Sequence, residues 1–388
     1  MKKKILFVNG HLNTGGVEKS LVDILRNFNY EKYDVDLLLF EGLGDYYSDI
    51  PKGVNIRFID LTTTYGSLKE CLVNALKKDD YFSFWMKIIL TLSNKFSQKF
   101  LVLASKLIRL DYYDCAIAFR PGFCAEIVAN CVKSNNKICW WHHGECSYNK
   151  KTKIRMSKTF KMFNKIVSVS KGCIEMIDEY FGNLKSKIVV IPNMIDIDEI
   201  ERKSVLENID ISNERKWTFI TVGRLSPEKN MINIVNIANE LINQNFTDFK
   251  WLVIGDGSEY EGIKKRIDNY GLNNYIDLLG RKSNPYPYIR RADIMIHPSL
   301  VESFCLTVLE GMALNKPCIV TQSIGPTEFI EQYQNGILTS ENPEEISNEI
   351  INLINNTDLF EFIKFNSIKV IYNRYVSNVV ISFIENII

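Results

Sequence analysis

The 388-residue sequence lacks an excess of charge of either sign. It has 47 Lys and Arg against 46 Asp and Glu, a net charge of +1. A chain so balanced carries no nucleic-acid-binding field, and no nucleic acid is expected as a partner. It also lacks paired cysteines. Its nine cysteines (Cys71, Cys115, Cys124, Cys131, Cys139, Cys146, Cys173, Cys305 and Cys318) form no C-x-x-C pair. Their odd number and scatter predict reduced thiols of a cytosolic protein, most of them packing residues. No apolar run reaches the about 18 residues that a transmembrane helix needs. The lysines at Lys2 to Lys4 imitate the start of an export signal. The apolar run behind them, Ile5 to Val8, is too short for one and reads as a core strand. Tandem repeats and low-complexity tracts are absent, and histidine is scarce, with four in all.

What is present is alternation. At this length two domains are expected, and 46% hydrophobic with 24% charged residues describes a globular protein. Short runs rich in Val, Ile and Phe read as buried parallel strands. They lie at 4–8, 35–40, 55–59, 115–119, 138–141, 166–169 and 188–191. A second series follows at 218–222, 250–254, 276–278, 294–297, 317–320 and 336–338. Helical periods separate them, which gives an α/β chain of two doubly wound units. The join is expected near Pro192–Lys216. The expected domains are 1–193, joined by a C-terminal helix 370–388, and 194–369.

The chemistry-bearing residues cluster where strands end. Glu302 and Glu310 close the segment Glu302-x7-Glu310, a loop running into a helix. Eight helical steps span ~12 Å, so two acids so placed can hold both ends of one elongated ligand, such as a nucleotide-sugar. The helix start between them favours its diphosphate. Two exposed acids on an amphipathic helix would share this spacing. The turn Val222-Gly223-Arg224-Leu225-Ser226-Pro227-Glu228-Lys229-Asn230 has an N-cap serine, a first-turn proline and two flanking cations. That combination suits a diphosphate held without metal, although a capped helix with surface cations explains it too. The first turn, Asn9 to Ser20, places Gly15 and Gly16 before a helix. Neither a P-loop nor a G-x-G-x-x-G fingerprint fits it, so a phosphate loop and a plain tight turn both remain open. Gly255, in Gly255-Asp256-Gly257, and Arg281, after Gly280, mark two more turns at strand ends.

Together, Gly15-Gly16-Val17-Glu18, Gly223-Arg224 with Lys229-Asn230, Ile254-Gly255-Asp256-Gly257, and Pro298-Ser299 with Glu302-x7-Glu310 resemble the retaining GT-B glycosyltransferases of family 4. The resemblance is strongest over about Lys216–Ile330 and extends weakly to the first twenty residues. It implies two Rossmann-like domains facing a central cleft. It further implies transfer of a hexosyl group from a nucleotide-diphosphate sugar, UDP-linked, to a glycan or lipid-linked glycan acceptor in surface polysaccharide synthesis. Arg224 and Lys229 would hold the diphosphate and Glu310 the ribose. Glu302 would contact the sugar, beside the Phe304, Cys305 and Leu306 backbone. Gly15, Gly16, Gly223, Gly255 and Arg281 would line the donor site. Cys305 departs from the pattern, since the family usually has glycine after the phenylalanine.

The segment Trp140-Trp141-His142-His143 ends a strand, and alternation lets one histidine face inward. A catalytic histidine contacting sugar or acceptor, a zinc site with Cys139 or Cys146, and a packed pair are all compatible with it. The cysteines lack finger spacing. Arg120, in Arg120-Pro121-Gly122, is an acceptor-side candidate. Asp34-Val35-Asp36 matches the Asp-x-Asp of metal-dependent enzymes but stands at a strand start and is taken as chance. No metal and no cofactor are expected. Residues 84–109 carry apolar residues at helical spacing between lysines, a pattern shared by core helices and by helices that lie on the inner membrane surface. A GT-B sugar-nucleotide epimerase and a non-catalytic sugar-nucleotide-binding subunit are the competing functions.

Overall fold

Residues 2–42, 44–207, 209 and 215–388 are described by a computed structural model. The chain divides into two compact units. The first takes Met1–Pro192 and Val380–Ile388, the second Asn193–Val379. Part of the expected join, residues 208 and 210–214, lies outside the described residues.

The first unit is built on seven parallel strands: β1 (Lys3–Val8), β2 (Tyr33–Leu39), β3 (Val54–Phe58), β4 (Tyr112–Ala118), β5 (Lys133–Trp141), β6 (Lys165–Ser168) and β7 (Ile188–Val190). Their order is β3-β2-β1-β4-β5-β6-β7. The second unit has six: β8 (Trp217–Val222), β9 (Phe249–Ile254), β10 (Ile276–Gly280), β11 (Ile294–His297), β12 (Cys318–Thr321) and β13 (Ile337–Thr339), in the order β10-β9-β8-β11-β12-β13. Both are doubly wound α/β sheets. Helices cover both faces, so strand interiors are apolar without alternation. Ile5 through Val8 are fully buried, as are Trp140, Trp141, Trp251, Phe219 and Phe249. Each such large side chain contributes about 1.5–3 kcal/mol of burial.

Strand order reverses between β1 and β4 in one unit and between β8 and β11 in the other. Outside the carboxyl ends of such a pair, diverging helices leave a crevice, the usual ligand site of an open α/β sheet.

Local structure departs from the sequence reading at the Ser226 turn and in the C-terminal tail, and it resolves the 84–109 pattern into separate elements. The helix expected from Ser226 is a single 3-10 turn, Pro227–Lys229, and the α-helix begins only at Asn233. Asn230 takes a left-handed conformation (φ 50°) that ends the turn, and the Ser226 hydroxyl goes to the Glu228 carboxylate rather than to a backbone amide. The 84–109 pattern is not one helix. It breaks after the helix Tyr81–Lys95 and resumes as a 3-10 turn, Gln98–Phe100, and a helix, Leu101–Ile108. The tail forms two helices, Thr357–Arg374 and Ser377–Ile387. The last residues join the first unit through Glu385, 3.3 Å from Lys32, and through Ile387 O, which accepts from Asn136 at 2.8 Å.

Candidate active site

At the second unit's switch point, the loop after β8 meets the loop after β11. The carbonyl of Glu228 accepts from the amides of Leu300 (3.0 Å) and Val301 (3.3 Å), and the Glu302 carbonyl accepts from Gly325 N (3.0 Å), tying in the loop after β12. Glu302 is thereby fixed opposite Lys229. Its Oε1 receives Lys229 Nζ at 2.5 Å and lies 2.8 Å from Nε2 of His297, the last residue of β11. The Glu302 side chain is 10% exposed and that of His297 is 3% exposed. Burial alone would raise the Glu302 pKa. The His297 hydrogen bond and the Lys229 ammonium outweigh it and hold the carboxyl at about 2. His297 Nδ1 has no hydrogen-bond partner among the described residues.

Among the described residues, His297, Glu302 and Cys305 are the one trio whose ligand atoms, within 4.8 Å of one another, could hold a metal ion. The Lys229 ammonium already occupies the Glu302 oxygen, so a cation entering there would meet a like charge. That donor set does not suit a metal.

The remaining predicted residues scatter around this centre. Arg224 is 68% exposed, with Glu228 at 3.8 Å as its ion-pair neighbour. Arg281 is exposed just beyond β10. Glu310 is buried on the helix Leu306–Ala313 and accepts from the Tyr286 hydroxyl at 3.0 Å. Phe304 is buried against Tyr375, with ring centroids 5.4 Å apart. Cys305 has φ 71° and ψ 64°, and Leu306 opens the helix directly after it. A left-handed position explains why glycine would be the expected residue at 305.

Two glycines assigned to ligand approach have another duty. A Cβ on Gly255, whose φ is +154°, would lie 1.8 Å from the Gly223 carbonyl oxygen, and one on Gly223 would meet Met231 at 2.5 Å. The loops after β8 and β9 are packed backbone to backbone, which requires glycine at 255 whatever binds above them, whereas at 223 the tip of Met231 could move aside.

In the first unit the pairing at the switch point is inverted. Glu18, on the helix Gly16–Arg26 that follows β1, is buried and pairs with Arg120 from the loop after β4. Asn9 Nδ2 (3.4 Å) and His11 Nδ1 (3.7 Å) also approach Glu18. Gly15 caps that helix in extended backbone, and a Cβ there would crowd Glu18 Oε2 at 2.6 Å. His142 is the buried histidine of the pair, its ring 4.8 Å from that of Phe119, whereas His143 is exposed. Burial drives the His142 pKa well down, helped by His143 and Arg120, so the ring is neutral near pH 7. Asp36, from the discounted Asp-x-Asp string, pairs with Arg57 and accepts from the Tyr113 hydroxyl.

His297 and Tyr286 were not singled out from sequence, and Glu18, quoted in the motif Gly15-Gly16-Val17-Glu18, was given no role of its own. A polar residue closing the apolar run Ile294-Met295-Ile296 was the one signal for His297.

Residues 202–369 match the family model described as glycosyl transferases group 1. An uncharacterised glycosyltransferase of Methanocaldococcus jannaschii is 32% identical over 203 residues, 50% of this chain and 51% of its own length. The Escherichia coli UDP-Gal:alpha-D-GlcNAc-diphosphoundecaprenol alpha-1,3-galactosyltransferase is 29% identical over 178 residues, 44% of this chain and 46% of its own. The chain spans about half the length of the curated relatives it matches. Among solved structures, Anabaena HepE in complex with UDP and glucose aligns with TM-score 0.73 at 17% identity, covering 99% of this chain and 98% of that one. A Staphylococcus aureus TarM mutant crystallised with UDP aligns with TM-score 0.74 at 14% identity, covering 99% of each. At such identities the likeness speaks to fold, two Rossmann-like units of the GT-B class.

Proposed function

We propose that the protein is a retaining, family 4 glycosyltransferase. It moves a hexosyl group from a UDP-linked sugar to a hydroxyl of a glycan or lipid-linked glycan in surface polysaccharide synthesis. The observation that carries this reading is the Lys229–Glu302–His297 constellation at a switch point, inside the segment matching glycosyl transferases group 1. The galactosyltransferase relative, whose name contains a UDP-sugar and a lipid diphosphate, supports the donor and acceptor classes.

The chemistry follows from charge. As the bond from sugar to diphosphate lengthens, negative charge grows on the leaving phosphate and positive charge on the anomeric carbon. Lys229, already oriented, and the exposed Arg224 supply cation to the phosphate. Glu302, ionised at every working pH, orders a sugar hydroxyl and complements the cationic carbon. Glu310 takes the ribose. Neutral His142 and the Glu18-braced Arg120 of the first unit are the acceptor-side candidates, and the acceptor's proton leaves with the diphosphate oxygen on the same face of the sugar. No step calls for a metal.

The test incubates the full chain with a panel of UDP-sugars and measures UDP release with and without lipid-linked acceptor. Acceptor-dependent release and a product that keeps the donor's anomeric configuration are expected. Interconversion of the donor sugar without acceptor would make the protein an epimerase. Binding without turnover on every acceptor would make it a binding subunit. Lys229→Ala is expected to weaken UDP-sugar binding by at least about tenfold; unchanged affinity would remove Lys229 from the site.

A further inference from the structure

The tail helix Thr357–Arg374 is apolar on two sides. It packs against the helices Leu306–Ala313 and Pro343–Asn355 and buries Ile363, Ser367 and Ile371. Phe360, toward the same side, lies with its ring centre 5.9 Å from that of Trp217. The opposite side of a surface helix is ordinarily polar. Here it carries Phe362, Phe365 and Tyr372, which are 46%, 65% and 57% exposed.

The outer face is ordered. Asp358, Phe365 and Tyr372 recur every seven residues, as do Phe362 and Lys369, which is the repeat of a helix that pairs with another helix. Its charges are ordered as well. Glu361 stands four residues before Phe365 and Lys369 four after it. Asp358 stands seven before and Tyr372 seven after. The Lys369 ammonium is 3.8 Å from the centre of the Phe365 ring, so it is held on this face. Glu361 and Lys369 are ~12 Å apart along the axis, too far to pair within one chain. The cation beside Glu361 in its own helix is Lys364, at 3.3 Å.

We propose that this face binds a second copy of the chain, by antiparallel pairing of the two Thr357–Arg374 helices about a two-fold axis at Phe365. Laid antiparallel on its copy, the helix exchanges positions that are symmetric about that residue. Glu361 of each subunit meets Lys369 of the partner subunit, the Tyr372 hydroxyl donates to Asp358 of the partner subunit, and the two Phe365 rings meet on the axis. A contact of this kind is isologous and closes at two. One helix pair ~21 Å long makes an interface below the about 800 Å² per partner of a standard complex, so the association is reversible.

A second copy is favoured over an unrelated protein because acid and base are placed symmetrically about one residue, the arrangement that makes a face complementary to itself. A lipid surface is disfavoured because Asp358 and Glu361 stand among the aromatic rings. This inference does not depend on the transfer reaction.

The test is sedimentation velocity of the full chain over about 1 to 100 µM. A monomer–dimer equilibrium is expected. Phe365→Ser should raise the dissociation constant at least about tenfold. Glu361→Lys and Lys369→Glu should each raise it about threefold or more. The two reversals together should bring it back to within about twofold of the parent, a recovery that no contact inside one chain predicts. All three side chains are exposed, so circular dichroism should be unchanged. A monomer at every concentration, a dimer indifferent to Phe365→Ser, or a double variant no better than the single ones would overturn the proposal. So would assemblies that grow past two, which mean a head-to-tail contact, and so would a monomer that sediments with phosphatidylglycerol vesicles through Phe365.

Discussion

Glu302→Gln tests the centre of the site through its titration. Glutamine keeps the shape and still accepts from Lys229 Nζ and His297 Nε2, but it cannot ionise. In the native protein the Glu302 pKa is about 2, against an ordinary 4.5. The gap of about 2.5 units corresponds to ~3 kcal/mol. Because the folded value is the lower one, the unfolded chain binds more protons over this range and stability rises with pH. The contribution is complete above about pH 5.5. It falls away as pH drops, with roughly 2 kcal/mol gone by pH 3 and the rest lost through pH 2. Every other carboxylate titrates alike in parent and variant, so the difference between them isolates Glu302. Urea unfolding followed by tryptophan fluorescence, at steps from pH 7 to pH 3, reads it in whichever transition the substitution moves at pH 7. The parent should be the more stable at pH 7, and the margin should shrink by about 2 kcal/mol by pH 3. A margin that stays constant, or widens toward acid, would refute the reasoning.

Gly255→Ala should destabilise by about 3 kcal/mol or more, since its Cβ would stand 1.8 Å from a carbonyl oxygen on a backbone with φ +154°. Gly262→Ala, with nothing within 4 Å, should instead stabilise by up to ~1 kcal/mol. Opposite shifts in urea midpoint check the pair. At Cys305, with φ 71°, glycine should be more stable than alanine by about 1 kcal/mol; alanine ahead of glycine would deny the left-handed conformation. Arg155→Met strands Glu126, whose side chain is 7% exposed, and should cost about 3 kcal/mol in a denaturation series. Adding Glu126→Met should recover most of that loss, because the penalty is an unpaired charge.

All thirteen strands were legible, most of them because parallel strands buried on both faces leave unbroken apolar runs; the edge strands β3 and β10 are only partly buried and interrupted by polar residues. The extra residues are polar starts: β4 begins at Tyr112 and β5 at Lys133, and both residues are exposed. Helix starts were less legible. Ser226 and Pro227 have the chemistry of a helix opening, and they do open a turn, but Asn230 in the left-handed region closes it. Glu302, Lys229 and Arg120 could be read from linear motifs, whereas their pairing could not. Lys229 and Glu302 are 73 residues apart and Arg120 and Glu18 are 102 apart. Their meeting depends on β8 lying beside β11 and β1 beside β4. That order follows from how the helices pack, not from any local pattern.

The two switch points solve one electrostatic problem with reversed roles. In the second unit the loop after the first strand gives the cation and the later loop gives the acid. In the first unit the acid follows the first strand and Arg120 comes from the later loop. Each carboxylate is nearly buried and would be costly without its partner. Each cation is only partly covered, with Lys229 23% and Arg120 32% exposed. An ammonium carries three donors, and the Glu302 bond uses one of them. Arg120 Nε, without a hydrogen-bond partner among the described residues, is itself buried and is not what a ligand meets. The buried acids therefore orient these cations while leaving donor capacity unspent. An incoming anion or hydroxyl meets groups that are already charged and aimed, so binding does not have to meet the cost of ordering a free lysine or arginine.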